Sequence, residues 1–63
     1  MGVATAVGTF FVGTTEVRYS ANVQAADQTA AQTWATAVRA WLAANTTSFT
    51  VTFFYQSSTV ELT

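Results

Sequence analysis

Three carboxylates (Glu16, Asp27 and Glu61) and two guanidinium groups (Arg18 and Arg39) are the whole charged side-chain inventory of this 63-residue chain. Two carboxylates held at a suitable separation can divide acid and base duties. Composition closes the other familiar routes to catalysis. There is no Cys or His for a nucleophile–base pair and no Lys for a Schiff base. The same absences remove disulfides and the usual transition-metal ligands. Asp27 stands just before an apolar-periodic run and reads as a helix cap, with Glu16 and Glu61 as solvated strand ends flanking Arg18. The expectation is a chain that is not an enzyme, with no catalytic, metal or cofactor site and no small-molecule substrate.

Three further motifs carry less than their spelling suggests. Gly8 to Thr15, "GTFFVGTT", has the GxxxxG frame of a phosphate-binding loop, but the Lys is missing and the interior alternates like a strand. "NTT" at Asn45 to Thr47 is a glycosylation triplet of a kind that is common by chance. "MGVATA" falls short of a myristoylation start, because Ala6 stands where Ser or Thr is required. Two Arg in a chain of net charge −1 make no basic footprint, so no nucleic-acid partner is expected. Trp34 and Trp41 lie seven apart, at helical spacing, and read as core rather than as a ligand cage. No apolar run approaches the ~20 residues of a membrane span, and the first fifteen residues carry no charged side chain for a signal-peptide n-region. Nothing here directs the chain to a membrane or fixes its localisation; a product of the cytoplasm, free or in a virion, is the default.

What remains is apolar. Charged residues are 8% of the chain against a typical ~25%, while 51% are hydrophobic. A domain of this size buries only about 60% of the surface its unfolded chain exposes, and small domains usually add disulfides, a metal or oligomerisation. Only the last is open to this one. A near-zero net charge also gives copies little reason to stay apart.

The elements follow from periodicity. Ala4 to Val12 reads as a first strand and "GTT" (Gly13 to Thr15) as a turn. Glu16 to Val23 is a second strand, with Val17, Tyr19, Ala21 and Val23 on one side and Glu16, Arg18, Ser20 and Asn22 on the other. A helix over roughly Asp27 to Ala44 buries Ala30, Ala31, Trp34, Ala37, Val38, Trp41 and Leu42, while Gln28, Gln32, Thr36, Arg39 and Ala43 face away. Asn45 would end it in the left-handed conformation. Phe49 to Gln56 is a third strand, Ser57 and Ser58 a turn, and Thr59 to Thr63 a fourth strand burying Val60 and Leu62. Residues 1–63 thus form a single small α+β domain: a two-layer β-β-α-β-β arrangement, with one helix on a four-stranded, mainly antiparallel sheet. A right-handed crossover permits the order 2-1-3-4, preferred because the longest apolar strands become central, or the β-grasp-like 2-1-4-3.

Parity then singles out one surface. Phe10 and Phe11 are adjacent, as are Phe53 and Phe54, so one ring of each pair must leave the core. With Phe10 and Phe53 inward, the face opposite the helix carries Val3, Val7, Phe11, Thr50, Thr52 and Phe54. No second helix remains to cover it. The expectation is a homo-oligomer interface on a structural, self-assembling protein, such as a small virion, coat or filament component. A protein-binding module using the same face or an edge strand is the alternative. A de novo designed fold without biological activity is another, although such designs favour Lys- and Glu-rich surfaces and Asn-Gly or Asp-Gly turns, which this chain lacks.

Overall fold

The structure, a computed structural model, describes residues 2–56 and 60–62. Strands β1 (Gly2–Val12) and β2 (Thr15–Ala25) form an antiparallel hairpin paired along all eleven residues, from Gly2↔Ala25 to Val12↔Thr15, with no bulge. Only Gly13 and Thr14 lie between them. Gly13 takes φ 65° while Thr14 keeps a negative φ, the pattern of a type II′ turn, whose twist matches the flanking strands.

Helix α1 (Gln28–Asn45) begins where its cap predicts. Asp27 is extended, and its carboxylate accepts the Ala30 amide at 2.9 Å, satisfying one of the free N–H groups of the first turn. The other end differs from expectation. Asn45 remains helical, and its Nδ2 donates to the Trp41 carbonyl at 2.9 Å. The stop falls at Thr46, which is extended rather than left-handed. Its N–H and hydroxyl both donate to the Leu42 carbonyl, at 3.0 and 2.6 Å, and so fill an acceptor that a glycine cap would normally serve.

Strand β3 (Ser48–Tyr55) runs antiparallel to β1, from Ala4↔Tyr55 to Phe11↔Ser48. The result is an α+β fold in which three long antiparallel strands carry one helix. Of the fourth strand expected over Thr59 to Thr63, Thr59 and Thr63 lie outside the described residues, and Val60 and Glu61 are in a strand. This strand, β4 (Val60–Glu61), pairs with Phe54 and Tyr55, giving the order β2-β1-β3-β4; β1 does not pair with β4, so the β-grasp-like order is excluded. Leu62 follows in the same register: its side chain is 2% exposed, its N–H donates to the Phe53 carbonyl, and its own carbonyl accepts Arg39 Nη2 at 2.8 Å. The expected Ser57–Ser58 turn and the burial of Val60 lie outside what is described.

The helix is rotated relative to the stripe its aromatics suggest. Ala31, Ala35 and Leu42 are buried, with Val38 between them, a 4-3-4 spacing that forms one face. Ala30 and Ala37 are exposed, and Trp41 keeps 54% of its surface in solvent. The two indoles pack on phenyl rings of the sheet. Trp34 meets Phe53 edge-on at 5.6 Å between centroids, and Trp41 meets Phe10 at 6.5 Å. Arg39 does not face away. Its guanidinium lies 4.5 Å from the centroid of Phe53, the largest fully buried side chain. Alanines on both layers (Ala4 and Ala6 on β1, Ala31 and Ala35 on α1) pack with the fully buried Phe53 and Leu42 in one core that a single helix can close.

Candidate interaction surface

The helix covers the face bearing Ala4, Ala6, Phe10, Phe53 and Tyr55. On the opposite face the register sets side chains in rows across three strands. From the far end toward the hairpin turn these are Asn22–Thr5–Phe54, Ser20–Val7–Thr52, Arg18–Thr9–Thr50 and Glu16–Phe11–Ser48, with Val3 and Gln24 beyond the first. All six residues singled out from the sequence therefore share this face. Val3 is 44% and Val7 49% exposed, Thr50 is exposed, and Phe11, Thr52 and Phe54 are half-buried.

They do not form one patch. Val7 stands opposite Thr52, and Phe54, level with Thr5, is diagonal to Val7 and beside the row of Val3. Diagonal neighbours lie ~7–8 Å apart, within reach of a phenyl ring, so Val3, Phe54 and Val7 form one apolar cluster. Phe11 is four residues beyond Val7 along β1, roughly 13 Å away, and six beyond the level of Phe54, among Thr9, Thr50, Ser48 and Glu16. Hydroxyl residues lie between them (Thr9, Thr50, Thr52 and Ser20), and beside Phe54 Thr5 Oγ1 donates to Asn22 Oδ1 across the hairpin at 2.9 Å.

The outward side chains of β2 belong to the same surface and were not among the residues picked out by parity on β1 and β3. Val7, Thr9, Glu16, Arg18 and Ser20 line a shallow concavity of about 470 Å³ there. The signal for them was the two-residue turn, which fixes Phe11 opposite Glu16 and Val7 opposite Ser20.

The other candidate groups are dispersed. Glu61 lies in β4, on the sheet edge opposite β2 and level with Asn22, so its backbone position does not flank Arg18 or approach Glu16. Asp27 is occupied as the cap. Among the described residues no three His, Cys, Asp or Glu side chains gather. Asn45 and Thr47 of the glycosylation triplet are structural: Asn45 bonds the helix, and Thr47 Oγ1 accepts the Gly13 amide at 2.8 Å. A second depression, along Gln28, Gln32, Thr36, Ala37 and Ala40, is the outer side of α1 alone and contains no charged group. No protein-family model, no curated protein and no solved structure matches this chain.

Proposed function

We propose that this chain is a non-enzymatic structural protein that assembles by packing its open sheet face on the same face of a second copy. The observation that carries the proposal is the Val3–Phe54–Val7 cluster, both valines exposed and Phe54 half-buried, on a sheet whose helix α1 lies on the other side. The product is a helix–sheet–sheet–helix sandwich with sheets ~10 Å apart.

A second copy suits this face because the face complements itself. A two-fold axis crossing the strands at Val7 reverses the order of the rows. It sets Val7 against its counterpart and brings the isolated Phe11 over the partner's Val3. Each charged side chain then meets an amide, Arg18 over Asn22 and Glu16 over Gln24, so no like charges oppose. A charge-poor unit of this kind suits a coat or filament, where many close contacts form with few ions to desolvate.

The test is Val7→Glu, which places a carboxylate at the centre of the packed faces. The native mass is expected to fall at least twofold while the far-ultraviolet circular dichroism stays that of the parent. An unchanged mass would overturn the proposal.

A further inference from the structure

The free edge of β2 is a second interface, distinct from the sheet face: we infer that it pairs antiparallel with β2 of another copy, in a register centred on Ser20. The hydrogen-bond phase of the sheet points to it. Gln56 N–H donates to the Val3 carbonyl, so the odd residues of β1 turn their backbone groups toward β3 and the even ones toward β2. The closing pair Val12↔Thr15 fits, since a two-residue hairpin ends on a hydrogen-bonded pair. On β2 the odd residues therefore bond to β1. Glu16, Arg18, Ser20, Asn22 and Gln24 point their N–H and C=O groups off the edge, where no other strand lies among the described residues.

Natural sheets blunt such an edge with a bulge, a Pro or repeated Lys. Here it runs eleven residues without a bulge, and its charges, Glu16 and Arg18, both lie near the turn. Centring on Ser20 pairs residues of the correct phase along the whole strand: Ser20 with Ser20, Arg18 with the partner's Asn22, and Glu16 with the partner's Gln24. Each such pair exchanges two bonds, about ten in all. A slip of two residues in either direction loses a pair, and a slip of four toward the turn sets Arg18 against Arg18. On the helix side the same register brings Val17 to Val23 and Tyr19 to Ala21, extending the half-buried row. Both helices then lie on one side of a continuous sheet, and the two open faces join into one of double area.

Amide hydrogen exchange on the assembled protein tests this pairing separately from face packing. The amides of Arg18, Ser20 and Asn22 are expected to exchange at least about 100-fold more slowly than in dilute monomer. Face packing alone leaves them free, so unprotected amides at these positions overturn the inference. Protection at Phe49 and Val51 as well, on the outer edge of β3, would show head-to-tail pairing and also overturn it. Ser20→Pro removes the central outward N–H and spares the bonds to β1. It is expected to abolish the protection at Arg18 and Asn22, while Ser20→Ala, which changes the side chain on the open face but keeps the N–H, retains it. Should Ser20→Pro not fold, the exchange pattern of the unmodified chain still decides.

Discussion

Phe11 and Phe54 point to the same side of the sheet but stand roughly 20 Å apart, because Phe54 is level with Thr5 and Phe11 lies six residues farther along β1. The two spare rings therefore do different work. Phe54 joins Val3 and Val7 in a cluster, while Phe11 is ringed by hydroxyls and Glu16. Phe54→Glu is expected to weaken association by two orders of magnitude or more. Phe11→Glu, acting on one contact near the end of the face, should weaken it by about tenfold, or ~1.4 kcal/mol. Dissociation constants from sedimentation equilibrium decide it, and equal effects would place both rings in one patch.

Gly8 is required by proximity. A Cβ at this position would lie 2.1 Å from the Thr50 carbonyl oxygen and 2.7 Å from the Val51 Cα, both backbone atoms that no rotamer can move aside. Gly8→Ala should force β1 and β3 apart and cost about 3 kcal/mol. A domain of this length holds only roughly 3–9 kcal/mol in total. Urea unfolding measures the loss; a change below about 1 kcal/mol would mean the two strands are not this close.

Arg39 fastens Leu62 to the core. It covers the Phe53 ring and donates to the Leu62 carbonyl. Arg39→Ala removes a partly desolvated cation–π contact and a charged hydrogen bond, for an expected loss of about 2 kcal/mol. Arg39→Lys keeps the charge but not the planar stack, and should lose about half as much. Both are read from urea midpoints, with the Leu62 amide losing exchange protection in the Ala variant first.

Much of this fold is legible in the residue order because local rules decide it. Alternation in "EVRYSANV", Gly13 at the turn and Asp27 before the helix each act within a few residues, and adjacent Phe residues must part whatever the topology. The helix phase was harder to see. Alanine stands on both sides of α1, so it carries little phase, and the indoles drew the expected stripe toward themselves. In the structure they meet Phe53 and Phe10 while staying partly exposed, and Ala35 is fully buried. Arg39 looked like a solvated face because its charge hides a stem and a planar head that can lie on an aromatic ring. The separation of Phe11 from Phe54 was not legible at all. It depends on the β1–β3 register, which no turn sets, since the whole of β2 and α1 intervenes.

The central claim is that the open face is not left in water. Light scattering after size exclusion, over a wide dilution series of the unmodified chain, tests it most directly. The account predicts a folded species at twice the 6.7 kDa chain mass, or a higher multiple, that persists on dilution into the low micromolar range. A folded species of 6.7 kDa at every concentration would contradict it.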